Sequence, residues 1–410
     1  MAGLPERRSR EIRSARISRR PPSFAVTLVA LGIVFALAWV FFLRSGPAAP
    51  TPTVEGARGT YTWRQTASDT GEDGVFSAVA GGNAGGSAES GIPILGAGPR
   101  AAAYDATTRT ATLRESRGAA VTEVRTVGAW PPVWRVATRS PLDYQGLSAI
   151  VRSAVEDGDD AVGIKPIKDG ERTVWRAAIR LDGRPVDLVV DQLTGLVTWY
   201  SDGRSTFTAT VDWASLPPAD ETYSVQAPAG AEVKTTTDDD YRYASSPAQA
   251  GRAAGYAPLV SDLAPEGYAL KAIATFETGD RPADWIQADR ASGAVGDRAL
   301  PGAAEPVIAQ LYARGLSWFT VEQIGPKSTG ILGESLRNAL RGGTRDRLSY
   351  EEATLQFGEF KGATAATWYE ASGPSLLVVG RRRVAFVTGA LTRQELIAFA
   401  EGLKPVPAVK

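Results

Sequence analysis

The sequence predicts an α+β protein: an N-terminal transmembrane helix, then a curved antiparallel sheet with a packed helix, and finally a second small α+β domain. Residues 24–43 form a run of twenty residues without a charge, which at about 1.5 Å per residue spans the roughly 30 Å hydrocarbon core of a bilayer. Residues 171–213 alternate apolar and polar side chains between short turns, a pattern typical of antiparallel strands. Residues 140–160 and 391–404 instead repeat apolar residues at helical spacing.

Basic residues before the apolar run predict its orientation. The first 23 residues contain seven Arg against two Glu, and positively charged flanks stay on the cytoplasmic side of a membrane. We therefore expect a cytoplasmic basic tail at 1–23, a transmembrane helix at 24–43 and a linker at 44–59. Everything beyond the linker is expected to be extracytoplasmic, so the chain is predicted to be a single-pass protein of the cell membrane.

A cleaved signal peptide is the alternative interpretation of this segment. It would need an apolar core of 7–15 residues and a small-residue cleavage site. The core here is longer and ends in bulky residues (Trp39, Phe41, Phe42 and Leu43), and Pro47 interrupts the nearest small residues. These features favour an uncleaved anchor.

Composition excludes several classes of chemistry. The chain has 410 residues with neither Cys nor His, so it has no disulfides, no Ser-His-Asp triad and none of the usual His- or Cys-ligated zinc sites. Residues 45–410 hold 37 basic and 43 acidic side chains, which disfavours nucleic-acid binding. We predict no catalytic residue, no cofactor and no metal site. A hydrolase that uses paired carboxylates stays open as a third hypothesis.

The first predicted helix lies just before the clearest strands. In SPLDYQGLSAIVRSAVEDGDD the apolar stripe follows the i, i+3, i+4, i+7, i+8 pattern, Asp143 or Ser140 could cap the start, and Gly158 could end the helix. We expect this stripe to pack in or over the hollow of the sheet. Its members are Leu147, Ile150, Val151, Ala154 and Val155.

Four strands are predicted within 171–213. Trp175, Ile179 and Leu181 alternate with polar or small residues, and the Asp-Gly pair at 182–183 is a hairpin signal. Apolar residues at 186, 188 and 190, the segment LVTWYS, and a last strand that ends at Trp213 complete an antiparallel meander with one apolar face.

Acidic TTTDDDYRYASSP at 235–247 is the predicted interdomain linker, so the two domains would occupy 60–234 and 248–410. The second contains a short helix from Ser246 to Tyr256, a strand at 268–276 and a hairpin at 305–324. Four further strands are expected at 353–360, 363–370, 375–380 and 382–388. In the closing helix at 391–404, Thr392 caps the start and Glu395 completes a capping box; its stripe is Leu396, Phe399, Ala400 and Leu403.

Two stretches resemble known families. Residues 186–230 (VDLVVDQLTGLVTWYSDGRSTFTATVDWASLPPADETYSVQAPAG) resemble the last strands of the LolA-like fold, which serves lipid and lipoprotein carriers and forms the N-terminal domain of RseB/MucB regulators. Residues 245–404 are similar to the small domain often appended to such proteins. The resemblance thus implies that 60–234 is a LolA-like domain in RseB/MucB order.

The resemblance implies function as follows. The leading hypothesis is a membrane-anchored extracytoplasmic, non-catalytic binding or sensor protein that regulates envelope-stress signalling. It would bind a lipid acyl chain, a lipoprotein or a membrane protein such as an anti-sigma factor. The alternative is a lipid or lipoprotein carrier or chaperone in assembly of the bacterial cell envelope.

Candidate sites follow from residue types. Seven residues are candidates for a hydrophobic pocket, with Trp130 and Trp134 upstream as further aromatics and ordinary core packing as the alternative. The acidic runs 156–160 and 238–240 could bind Ca²⁺, but solvated loops fit their spacing better. Arg381–Arg383 could dock an acidic partner or form a charged hairpin turn. The seven pocket candidates are Trp175, Ile179, Leu181, Trp199, Phe207, Val211 and Trp213.

Overall fold

Strands far outnumber helices in the part of the chain that the computed structural model describes. No described helix is long and apolar enough to cross a membrane, and the predicted anchor at 24–43 lies outside the described residues. The α+β class is confirmed. The described residues are 59–67, 73–80, 94–96, 100–105, 110–117, 120–128, 130, 143–181, 184–192, 195, 197–203, 205–212, 229–238, 240–277, 305–314, 317–329, 348–370 and 373–406.

Sheet 1 has eight strands, in the order β3-β2-β1-β11-β10-β9-β8-β7. All of its neighbouring strands are antiparallel, and β8 to β11 are the predicted meander. Its strands are β1 (Gly59–Ala67), β2 (Asp73–Ala80), β3 (Ile94–Gly96), β7 (Gly163–Asp169), β8 (Arg172–Leu181), β9 (Arg184–Asp191), β10 (Val197–Ser201) and β11 (Ser205–Asp212).

Sheet 2 has four strands, in the order β12-β6-β5-β4. Its edge strand β12 runs parallel to β6 and all six of its residues are exposed. The residues predicted as an interdomain linker, 235–247, include the end of β12, and the division into two domains there stays a prediction. The strands are β4 (Arg100–Asp105), β5 (Thr110–Arg117), β6 (Ala120–Val127) and β12 (Glu232–Thr237).

Sheet 3 has eight antiparallel strands, in the order β13-β15-β16-β17-β21-β20-β19-β18. The predicted hairpin at 305–324 is confirmed as β16 and β17, while the strand expected at 353–360 ends at Thr354. A separate pair, β14 (Leu259–Ser261) and β22 (Leu403–Pro405), lies beside it. The strands of sheet 3 are β13 (Arg242–Ala244), β15 (Ala269–Phe276), β16 (Val307–Arg314), β17 (Ser317–Ile324), β18 (Glu351–Thr354), β19 (Thr364–Glu370), β20 (Gly373–Val379) and β21 (Val384–Gly389).

Sheet 3 is buried on both faces. Successive residues of a strand point to opposite faces, and in β20 Leu376 and Val378 belong to one apolar cluster while Leu377 and Val379 belong to another. This explains why every residue of β20 is buried. Helix α3 (Arg393–Glu401) covers the first cluster, where the Phe399 ring meets two aromatic rings edge-on at 5.0 and 5.3 Å.

Local signals correctly predicted two of the helices that the structure describes in the C-terminal part. Ser246 caps α2 (Pro247–Ala254). Thr392 caps α3, its Oγ1 accepts the Glu395 amide, and the Glu395 carboxylate accepts the Thr392 amide. These signals depend on residues within one turn of each other, so the sequence alone reveals them.

Helix α1 (Asp143–Asp157) is confirmed, but its surroundings differ from the expectation. A helix that lies on one sheet has one buried stripe, whereas every residue from 146 to 154 of α1 is buried. The helix contacts β7 and β10 of sheet 1 and also β20 and β21 of sheet 3. It therefore lies between two sheets, and its polar residues must find partners there.

Close backbone approach makes Gly373 a sensitive position at this contact. Its φ is +125°, and an added Cβ would collide with the Gly389 carbonyl oxygen and lie 3.0 Å from the Gly146 Cα of α1. Gly373→Ala is expected to cost about 2–4 kcal/mol, measured by denaturant unfolding. The control Gly362→Ala has a φ of +79° and open space around it, so an equal loss in both variants would contradict the close-approach explanation.

Candidate functional site

The apolar face of sheet 1 brings three of the predicted pocket residues together. Trp175, Ile179 and Leu181 are 5, 4 and 5 % exposed, and they alternate with exposed residues along β8. Trp175 pairs with Val190 and Ile179 pairs with Val186 on β9. Because paired residues of antiparallel strands share a face, this surface continues across both strands.

A β-bulge moves Trp199 off this face. The register between β9 and β10 shifts between Val197 and Trp199, so that Trp199 pairs with Val189 and Tyr200 pairs with Leu188. Val189 lies between two fully buried residues of β9 and points to the opposite face. Trp199 therefore does not join the predicted set, and Tyr200 occupies the corresponding position. Sequence alternation cannot reveal a one-residue shift of this kind.

The other predicted aromatic positions divide between several places. The backbone of Phe207 lies opposite Tyr200, and that of Val211 lies opposite Tyr61. Trp213 and Trp134 lie outside the described residues. Trp130 packs away from sheet 1, in a cluster of sheet 3 residues, and stacks on the Tyr241 ring at 5.4 Å.

The side chain of Trp175 places one polar atom, the indole nitrogen, on this apolar face. Its indole Nε1 is buried and has no hydrogen-bond partner. An indole N–H can only donate, and a buried donor left without an acceptor costs about 1–3 kcal/mol. An oxygen atom of a bound molecule near Nε1 would remove this cost.

A second arrangement of polar groups, which the sequence analysis missed, joins α1 to the start of α3. The Arg393 side chain is 3 % exposed. Its Nη1 donates to Asp157 Oδ2 at 3.0 Å and to Glu351 Oε1 at 2.9 Å, and its Nη2 donates to the Ser349 carbonyl oxygen at 2.7 Å. The guanidinium lies 4.9 Å from the Tyr369 ring centroid, within the range of a cation–π contact.

Ser153 of α1 lies at the centre of this arrangement. Its Oγ accepts the Arg393 amide at 3.0 Å and the Tyr369 hydroxyl at 3.1 Å. It also donates to Asp157 Oδ2 at 3.3 Å. Burial raises the pKa of Tyr369 to about 12, so this hydroxyl keeps its proton and remains a donor at neutral pH.

Five residues before Asp157, Arg152 makes a parallel connection. Its Nη2 donates to the Ala390 carbonyl oxygen at 3.0 Å and lies 3.7 Å from Glu395 Oε2. Burial raises the pKa of Glu156, opposed by a hydrogen bond from Thr392 and by the charge of Arg152. We call the contacts of Arg152, Ser153 and Asp157 with Tyr369, Ala390, Arg393 and Glu395 the α1–α3 polar interface.

The acidic run at 156–160 is expected to be a solvated loop, and two of its members also take part in contacts within the fold. The side chains of Asp157 and Asp159 are only 15 and 12 % exposed, and both lie near Arg393. The reason is tertiary: the end of α1 meets a buried cation that lies far away in the sequence. In the second run, Asp238 Oδ1 accepts the amide of Asp240 in a local turn.

The Arg381–Arg383 segment forms the hairpin turn between β20 and β21, as one of the two interpretations expected. The Gly380 amide donates to the Arg383 carbonyl oxygen at 2.8 Å. Arg381 and Arg382 are exposed, whereas the Arg383 guanidinium lies 4.8 Å from the Tyr256 ring centroid. Of these three Arg residues, Arg383 therefore contacts another side chain of the fold.

A signal for the α1–α3 polar interface does exist in the sequence. Arg393 directly follows the N-cap Thr392, and a cation is unfavourable at the positive end of a helix dipole. An anionic partner would offset this unfavourable interaction, but the sequence does not identify one.

No family model matches this sequence, and no curated protein matches it either. Among solved structures the chain is similar to MucB, at 14% identity and a TM-score of 0.23, over 90% of this chain and 98% of that one. It is also similar to MucB in complex with MucA(peri), at 13% identity and a TM-score of 0.23, over 86% and 94% of the two chains. PNGF-II matches at 9% identity and a TM-score of 0.22, over 54% of this chain and 41% of that one. TM-scores this low do not establish a shared fold.

Proposed function

We propose that this chain is a membrane-anchored, extracytoplasmic, non-catalytic binding protein. Its LolA-like first sheet would hold a lipid acyl chain or a lipoprotein. The observation that supports this proposal is the apolar face of β8 and β9. On this face the indole N–H of Trp175 has no hydrogen-bond acceptor. An acyl chain would insert among these buried apolar side chains, and an ester or amide oxygen attached to it would accept from the indole.

The proposed partner is a membrane protein such as an anti-sigma factor, through which the chain would regulate envelope-stress signalling. This class of partner is the one that the sequence resemblance at 186–230 and 245–404 implies. Transfer of the bound lipid to acceptor vesicles would instead favour the carrier alternative.

Native mass spectrometry tests ligand binding. The full-length chain is purified from its native membrane fraction and weighed before and after organic extraction. We expect a discrete, removable mass of several hundred daltons. Ala177→Phe, on the buried face of β8, should lose this mass, whereas Ala178→Phe, on the exposed face of the same strand, should keep it. An unliganded mass for the unmodified chain would contradict the proposal.

The proposed anchor can be tested because the chain contains no Cys. Single cysteines are introduced as Ser9→Cys in the basic tail and Thr51→Cys in the linker. In intact cells a membrane-impermeant maleimide should label the Thr51→Cys variant alone, and both should react after the cells are opened. Labelling of Ser9→Cys in intact cells would contradict the predicted orientation.

A further inference from the structure

The two sides of α1 differ in chemistry. Its large apolar residues Leu147, Ile150 and Val151 are 5 % exposed or less, and none of them belongs to the apolar clusters that the described residues of sheet 3 form. The contacts of α1 with α3 and β19 are hydrogen bonds and ion pairs instead. Helix α1 therefore meets the C-terminal part of the chain through these polar groups and through a close backbone approach of Gly146 to Gly373 of β20.

This difference decides where the two parts of the chain would separate. Exposure of buried apolar side chains to water costs free energy in proportion to the exposed area. Separation of an Arg from a carboxylate costs less free energy if water solvates both charges afterwards. Interfaces between domains are typically more polar than domain cores. The α1–α3 polar interface has that character.

The geometry also limits how this interface can loosen. Ser153 Oγ accepts the Arg393 backbone amide and donates to Asp157 Oδ2, which also accepts from the Arg393 guanidinium, so removal of one residue weakens the hydrogen bonding of the other two. Arg393 further bonds to Glu351, the first residue of β18, and to Ser349, two residues before it. The interface should therefore open as a unit, not one bond at a time.

We propose that the α1–α3 polar interface is a reversible contact, held closed by Arg393, and that α1 stays on sheet 1 when it opens. In the closed form the N-terminal and C-terminal parts of the chain move together. In the open form α1 and sheet 1 move away from sheet 3. A change in sheet 1 would then reach the C-terminal part through α1.

Distances between paired spin labels test this proposal in the full-length chain, whose lack of Cys gives each label a unique site. Exposed positions are Ala178 on β8, Asp160 after α1 and Ala398 on α3. The three pairs are measured by pulsed electron paramagnetic resonance in the background chain, in Arg393→Met and in Arg382→Met. Arg382 lies in the exposed hairpin turn and serves as the matched control.

In the Arg393→Met variant we expect the Ala178–Ala398 and Asp160–Ala398 pairs to lose their single narrow distance peak. The Asp160–Ala178 pair should keep its peak, and all three pairs should stay narrow in Arg382→Met. If Asp160–Ala178 broadens while Asp160–Ala398 stays narrow, α1 belongs to sheet 3 and the proposal is overturned. Unchanged peaks for all pairs in Arg393→Met would overturn it as well.

A milder substitution covers the case in which Arg393→Met does not fold. Asp157→Asn preserves the shape of the side chain but removes the charge that pairs with Arg393, so it should broaden the same two pairs to a smaller extent. Unchanged peaks in Asp157→Asn would then overturn the proposal. None of these outcomes depends on whether sheet 1 binds a lipid.

Discussion

Replacement of Arg393 by Met is expected to lower the free energy of unfolding by about 3–5 kcal/mol, because loss of one partner from a buried ion pair leaves the other charge uncompensated. Arg393 is 3 % exposed, and its guanidinium serves two carboxylates and a backbone carbonyl group. Met fills much of the same volume, so the effect reports lost polar contacts more than lost packing. Urea unfolding followed by circular dichroism measures the change.

The control for this prediction is Arg382→Met, which removes an exposed Arg and should change stability by less than about 0.5 kcal/mol. A double-mutant cycle with Asp157→Asn adds a second test, because the two groups are 3.0 Å apart. The combined loss should be smaller than the sum of the single losses. Additive losses would show that Arg393 and Asp157 contribute independently.

Replacement of Ile179 by Glu is expected to unfold sheet 1 or to cost about 4 kcal/mol or more, a loss diagnostic of a buried charge without a partner. Ile179 is 4 % exposed and pairs with Val186, which is also buried. Hydrogen exchange measured by mass spectrometry should show lost protection in β8 and β9. Bound lipid should be lost in the same variant if the proposed function is correct.

Ala178→Glu is the matched control, since Ala178 is the neighbouring residue of β8 and is exposed. It adds the same charge to the opposite face, where water can solvate the carboxylate. We expect protection of β8 and β9 to remain close to that of the unmodified chain. Equal loss in both variants would mean that β8 does not tolerate Glu on either face, and the face assignment would lose its support.

The apolar face of sheet 1 and the α1–α3 polar interface differ in what they contribute. The apolar face of sheet 1 supplies a surface for a proposed ligand, and the α1–α3 polar interface joins that part of the chain to sheet 3. Helix α1 contacts both sheets. A protein with this arrangement can couple binding in one part to a change in another if the contact between the parts is reversible.

Features that depend on neighbouring residues could be predicted from the sequence. The capping box of α3 requires only Thr392 and Glu395, which are three residues apart. The buried face of β8 follows from strict alternation, because the side-chain period of a strand is two. Composition likewise excluded disulfides and histidine chemistry without any structural information.

Features that depend on distant residues or on small irregularities were decided by the tertiary structure. One bulge in β10 placed Tyr200 where alternation had suggested Trp199. Arg393 and Asp157 are separated by 236 positions, and no local pattern reports that they meet. The sequence by itself determined the capping of α3 and the buried face of β8, since hydrogen bonding within one turn and side-chain periodicity are local. Only the tertiary structure decided which partners α1 meets, because a buried charge is satisfied by whichever opposite charge the fold brings within reach.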